Sequence, residues 1–156
     1  MTLLTKNNQK LKRQLIFDLP VSKEVCGRQC PGCYALKAQV RFPATQAKRD
    51  RMYEASLKDD FATIITQEIA NHRGKLTAVR VHSSGEFYSQ AYINKWTTIA
   101  KALPEVRFYA FTKRLKQFDF SQLESLPNFS LIDSLMNGGL NYGDYKNRPA
   151  GVLVCP

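Results

Sequence analysis

The sequence lacks several features that would assign it to a familiar class. No apolar run approaches the ~20 residues that a membrane-spanning helix needs, and the N-terminal residues carry no apolar segment typical of a signal peptide. Neither an H-E-x-x-H motif nor a catalytic Ser-His-Asp order is present, so hydrolase chemistry finds no support. There is also no internal repeat and no low-complexity stretch.

Cysteine is scarce, with 4 residues among 156, but three of them stand close together. Cys26, Cys30 and Cys33 follow the spacing C-x₃-C-x₂-C. So tight a cluster suits a metal better than disulfides, and a reducing cytoplasm better than a secreted setting. Thiolates are soft ligands that suit iron–sulfur clusters or zinc. Three of them leave one iron of a [4Fe–4S] cluster open, whereas Cys155 as a fourth ligand would close either kind of site.

The formal net charge is +10, with basic residues concentrated at 6–13, 48–51 and 113–116. This charge favours contact with a polyanion, and a nucleic acid or a nucleotide substrate is the natural partner. No base-reading motif is present. The alternative is a solvated surface rich in lysine and arginine.

The apolar pattern predicts one α/β domain over 13–156, after a loose basic segment over 1–12. Because strands and helices alternate, we expect a mostly parallel sheet covered by helices. The predicted strands are 14–19, 78–82, 106–111, 129–133 and 151–154. The predicted helices are 34–40, 44–57, 59–71, 90–103 and 118–126. The predicted aromatic core is Phe42, Tyr88, Trp96, Phe108 and Tyr109.

The chain stops at Cys155-Pro156, directly after an apolar strand pattern. A domain seldom ends where a buried strand emerges, so we expect a C-terminal truncation that removes a further piece of the domain. An edge strand that ends at the surface is the alternative.

Polar groups follow each predicted strand. The cysteine loop comes after the first strand, and the later strands precede Gly85-Glu86, Thr112-Lys113 and Asp133-Ser134. Parallel α/β folds place ligands at the carboxyl ends of their strands, so we expect these groups to meet at one mouth. His82 could face this mouth as a proton carrier, although a packed histidine is the preferred interpretation.

The cysteine spacing resembles the hallmark of the radical S-adenosylmethionine (SAM) superfamily. In that superfamily three cysteines bind a [4Fe–4S] cluster, SAM chelates the open iron, and electron transfer cleaves SAM to a 5′-deoxyadenosyl radical. The resemblance implies that Cys26, Cys30 and Cys33 are metal ligands. It also implies a full or partial TIM-like (β/α) barrel, and we predict the partial form.

Ser84-Gly85-Glu86 resembles the Gly-Gly-Glu element of the same superfamily, with Ser84 in place of its first glycine. The resemblance implies that Gly85 and Glu86 bind the SAM amine. Lys113 is a further candidate for contact with the SAM carboxylate or with substrate. The residue before the third cysteine is Gly32, where the superfamily tends to carry an aromatic.

A resemblance over nearly the whole chain points to a phage and prophage family named for gene product 88. The segments that carry it are 30–35, 41–43, 81–88, 95–96 and 102–113. It implies a mobile-element origin and a place in the host cytoplasm. We therefore predict a phage-type iron–sulfur protein of radical-SAM type, with no substrate indicated. The alternative is a non-enzymatic zinc- or cluster-binding module that contacts nucleic acid or a host protein.

Overall fold

A computed structural model describes residues 2–6, 13–27, 30, 32–72 and 78–134. Its strands are β1 (Thr5–Lys6), β2 (Gln14–Phe17), β3 (Ala78–Val81), β4 (Phe108–Thr112) and β5 (Phe129–Asp133). Its helices are α1 (Lys23–Cys26), α2 (Tyr34–Arg41), α3 (Pro43–Leu57), α4 (Phe61–Ala70), α5 (Gln90–Ala102) and α6 (Ser121–Glu124). The predicted strand 151–154 and Cys155 lie outside the described residues.

The strands form one sheet in chain order, with β1 antiparallel to β2 and the other neighbours parallel. The prediction of a mixed α/β fold with a mostly parallel sheet is therefore confirmed. Within the described residues β1 and β5 are the two edges, so the sheet is not closed there and a TIM-like barrel is not shown. Parallel strands in chain order, joined by right-handed crossovers, place their helices on one face.

The two faces of the sheet differ in burial. One face of the parallel strands, which includes Phe17, Val81 and Ala110, is buried with the helices in the core. At its centre the Phe17 ring meets the Phe61 and Trp96 rings edge-on, at centroid distances of 5.2 and 5.6 Å. The opposite face carries residues of intermediate exposure, namely Gln14, Arg80, Tyr109, Phe111 and Ile132.

The residues that precede β2 pack against the domain where they are described. Leu3 and Leu4 are buried, and their backbone N–H groups each donate a 2.9 Å hydrogen bond to the Glu68 carboxylate. Glu68 lies on the buried side of α4, so this carboxylate has its partners inside the protein. Residues 3–6 are thus packed and paired, unlike the loose segment that composition alone suggests. The domain boundary at 12–13 stays a prediction.

The predicted aromatic core is partly wrong. Trp96 and Phe108 are buried, but Phe42 is 52% exposed because it lies between α2 and α3 and not on an apolar helix face. Tyr88 and Tyr109 are of intermediate exposure. No helix within the described part of the chain is long and apolar enough to cross a bilayer.

Candidate functional site

A cavity of about 400 Å³ opens at the carboxyl ends of the parallel strands. Its lining includes every predicted site residue, which are Cys26, Cys30, Cys33, Gly85, Glu86 and Lys113. Ser134 also reaches it, whereas Thr112 and Asp133 are not among its lining residues. The expectation that the groups after the strands meet at one mouth is thus met for most of them. What these residues bind stays a prediction.

Residues 25–27, 30, 32 and 33, here called the cysteine side, begin in α1. Ser22 caps this helix by accepting a 3.2 Å hydrogen bond from the Val25 N–H. Gly27 ends it in the left-handed conformation, at φ 71°, and donates to the Lys23 carbonyl. Cys33 then precedes the first residue of α2. Two helix ends therefore set the first and third cysteines beside the cavity.

The three cysteines of the cysteine side form no disulfide with one another and are of intermediate exposure. Burial raises the pKa of Cys26 to about 11, and the Glu86 carboxylate and the other two cysteines add to the shift. The described residues contain no group of three or more His, Cys, Asp or Glu side chains already arranged to hold a metal ion. The chemistry of three neighbouring thiols fits an iron–sulfur cluster, but binding would require them to converge and to lose protons.

Residues 83–87, here called the glutamate side, face the cysteines across the cavity. The Glu86 carboxylate accepts hydrogen bonds from the Phe87 N–H, the Lys113 N–H and the Thr112 hydroxyl, at 2.9, 2.9 and 2.8 Å. Burial nevertheless raises the pKa of Glu86. A ligand that carries a positive charge would offset this penalty, because an opposite charge stabilises the ionised form.

Gly85 is required by the backbone of the glutamate side. Its φ is 85°, and a Cβ at this position would lie 2.4 Å from the Leu19 Cβ. The adjoining Ser84 hydroxyl donates to the Leu19 carbonyl at 2.9 Å, and the Leu19 N–H donates to the Ser84 carbonyl. Close packing against the end of β2 therefore explains this glycine without any ligand.

Asp18 holds the glutamate side and was missed by the sequence analysis. Its carboxylate accepts hydrogen bonds from the Ser83 N–H, the Ser83 hydroxyl and the Ser84 N–H, at 2.7, 2.7 and 3.0 Å. Asp18 and Ser83 are separated by 65 positions along the chain. The only signal in the sequence was one aspartate near the end of the predicted strand 14–19.

Arg114 joins the two sides of the cavity. One terminal nitrogen donates to the Val25 carbonyl and the Phe87 carbonyl, both at 3.2 Å. The guanidinium carbon also lies 5.0 Å from the centre of the Phe118 ring. Arg114 is therefore held by contacts within the protein.

Two further contacts reach the cysteine side. The Lys113 ammonium donates to the Cys30 sulfur at 3.5 Å. The Tyr34 hydroxyl donates to the Ser83 carbonyl at 2.5 Å and so links α2 to the glutamate side.

His82 is a packed, buried residue, as the preferred interpretation has it, and it is also among the residues that line the cavity. The side chain is 3% exposed, and Nε2 lies 2.8 Å from the Tyr92 hydroxyl. Burial lowers its pKa to about 3, so the ring is neutral at physiological pH. Its φ of 69° is unusual for a non-glycine residue and turns the chain into the glutamate side.

Comparison with known proteins gives one match. A family model described as Gene product 88 matches residues 2–146, which is most of the chain. Neither the curated proteins nor the solved structures contain a match.

Proposed function

This chain belongs to the Gene product 88 family, and we propose that it is a phage iron–sulfur protein of radical-SAM type. One observation carries the proposal: the three cysteines, Gly85, Glu86 and Lys113 all line a single cavity. Residues separated by up to 87 positions converge there, at the edge of a parallel sheet where such folds place their ligands. We also propose that the sheet is part of a (β/α) barrel, because its parallel strands follow one another in chain order.

Cys26, Cys30 and Cys33 would hold a [4Fe–4S] cluster. When bound, the cluster would supply the electron that cleaves SAM. The high pKa of Cys26, raised by burial to about 11, means that loading would release a proton from this thiol. The Lys113 ammonium, 3.5 Å from the Cys30 sulfur, would stabilise the thiolate form of that ligand.

Glu86 would bind the SAM ammonium. The three hydrogen bonds to its carboxylate fix the orientation of the side chain and leave acceptor capacity on its oxygens. Gly85 would act through the turn that it permits, since its Cα already packs against Leu19. Lys113 points to Cys30, so contact with a SAM carboxylate would be its second role.

We place this protein in the host cytoplasm, where thiols stay reduced. The positive charge favours an anionic substrate, and a nucleic acid or a nucleotide fits that description. The alternative function is a non-enzymatic module that binds zinc or a cluster and contacts nucleic acid or a host protein. The net charge of +10 also favours this alternative, because it suits contact with nucleic acid.

Anaerobic reconstitution with iron and sulfide tests the proposal. We expect a brown protein whose electron paramagnetic resonance spectrum changes on addition of SAM, and 5′-deoxyadenosine after reduction. Cys33→Ser should lose the cluster and Glu86→Gln should lose the response to SAM. The exposed control Glu54→Gln should keep both.

Other outcomes would favour the competing functions. Zinc without iron would favour the non-enzymatic module, and a cluster indifferent to SAM would mean that catalysis is absent. Cys155→Ser tests whether a fourth cysteine closes the site, because loss of the cluster in this variant would rule out an open iron.

A further inference from the structure

We propose that the cavity contains an anion site, in which Arg80 binds the carboxylate or phosphate group of a small organic molecule. Arg80 lies on β3, on the face of the sheet away from the helices, and it lines the cavity. Nothing in the sequence pattern singles it out, since it alternates with two buried valines in an ordinary strand. This site does not depend on a cluster.

The Arg80 side chain is already oriented. Its Nε donates to the His82 carbonyl at 3.3 Å, and its guanidinium carbon lies 5.5 Å from the centre of the Phe111 ring. Phe111 lines the same cavity from the neighbouring strand β4. One hydrogen bond and one aromatic contact therefore limit the rotation of the guanidinium before any ligand arrives, which lowers the entropy lost on binding.

The hydrogen bond of Arg80 uses its Nε and leaves its two terminal amino groups available. Within the described part of the chain, Arg80 has no ion pair and no hydrogen bond from these groups. An arginine presents them as a planar fork that matches the two oxygens of a carboxylate or phosphate. A guanidinium that is half-buried and held at Nε is thus suited to a bidentate oxyanion.

The other cations of the cavity are already used by the protein. Arg114 donates to the carbonyls of Val25 and Phe87, and the Lys113 ammonium faces the Cys30 sulfur. They still contribute positive charge to the same cavity. A cavity of about 400 Å³ is within the size range of small-molecule sites, which favours a small organic anion over the backbone of a nucleic acid.

The test is calorimetric titration of the full chain, kept reduced and free of added metal, at physiological salt. Inorganic pyrophosphate and succinate serve as the two probes. We expect at least one probe to bind, Arg80→Gln to weaken binding at least tenfold, and the exposed control Arg51→Gln to leave it unchanged. No binding of either probe, equal affinity in Arg80→Gln, or an equal loss in Arg51→Gln would overturn the proposal.

Thermal unfolding establishes that each variant is folded. If Arg80→Gln is not folded, the affinity of Arg80→Lys for the probes tests the site instead. Lysine keeps the positive charge but lacks the planar pair of amino groups. We then expect at least a threefold loss of affinity, and unchanged affinity would refute the site.

A last titration identifies the source of the anion. After reconstitution, displacement of the probe by SAM would assign the Arg80 site to the SAM carboxylate, and independent binding would assign it to a separate substrate. Both results support an oxyanion at Arg80. A failure to form a cluster would count against the proposed function and would leave the metal-free result intact.

Discussion

The two sides of the cavity are held by different means. The glutamate side is fixed by the two residues that follow β2, since the Asp18 carboxylate and the Leu19 carbonyl accept hydrogen bonds from Ser83 and Ser84. The contacts of the cysteine side include long side chains from another loop, such as Arg114, which donates to the Val25 carbonyl and also to Phe87 of the glutamate side. The difference teaches that short hydrogen bonds between neighbouring strand ends fix the glutamate side, whereas the three cysteines opposite form no disulfide with one another and are of intermediate exposure.

The largest expected effect comes from adding one methyl group to a glycine on each side of the cavity and comparing the loss of stability. Gly85→Ala adds a Cβ 2.4 Å from the Leu19 Cβ at a φ of 85°, so we expect a loss of about 2–5 kcal/mol in the free energy of unfolding. Gly32→Ala has a similar φ, 68°, but its Cβ would meet no described atom within 4 Å. The strain alone predicts a loss of about 1–2 kcal/mol there. Urea unfolding measures both, and equal losses would contradict the comparison.

Removal of the aspartate that holds the glutamate side comes next. Asp18→Ala leaves the Ser83 and Ser84 N–H groups without their acceptor, so we expect a loss of about 1–3 kcal/mol. Asp60→Ala is the control, because this exposed side chain makes no capping bond to α4. Hydrogen exchange should show faster exchange at Ser83 and Ser84 in the first variant only. Unchanged exchange there would mean that Asp18 does not hold the loop.

The pH dependence of stability tests His82, the residue that directly precedes the glutamate side. The His82 pKa is lowered by burial from 6.5 to about 3, so between these values the unfolded chain binds a proton that the folded ring does not. The contribution of His82 to the free energy of unfolding is fully present above pH 6.5. It falls by about 1.4 kcal/mol per pH unit as the pH drops towards 3.

The His82→Asn variant should therefore lose stability less steeply below pH 6.5 than the native chain. Asparagine tolerates the left-handed backbone that this position requires. His72→Asn, at a half-buried position outside the cavity, serves as the control. Denaturant titrations at several pH values give the slopes, and identical slopes for native protein and His82→Asn would refute the prediction.

The smallest expected effect concerns the link between the sides. Arg114→Gln removes the donor that joins the Val25 and Phe87 carbonyls. We therefore expect the local stability to fall by about 1 kcal/mol. Opening of the cysteine side should then become about fivefold more frequent, and iodoacetamide should label Cys26 faster in proportion. The exposed Arg107→Gln is the matched control. Equal labelling of all three proteins would show that Arg114 holds only the glutamate side.

Local signals placed the longer elements well. The predicted strand 129–133 has the observed bounds of β5, and the helix predicted over 90–103 is α5 within one residue, with Ser89 as its cap. The two missed elements are β1, of 2 residues, and α1, of 4 residues. No hydrophobic period can be recognised in segments so short, and each depends on partners or caps that a periodicity search does not weigh.

The site was predictable where a rule of topology applied. The carboxyl ends of parallel strands meet at one edge, and that rule brought the cysteines, Gly85, Glu86 and Lys113 together. It could not identify Asp18 or Arg80, and it did not show that Arg114 contacts the Val25 and Phe87 carbonyls, because these roles depend on groups far away in the chain.

The sequence by itself determined the alternation of strands and helices, because hydrophobic periodicity is local, and the general rule for parallel sheets then predicted which groups gather at the mouth. Only the tertiary structure decided which arginine joins the two sides and which one lies in the cavity with no described partner for its terminal amino groups. Those choices follow from distances between groups that no spacing along the chain encodes.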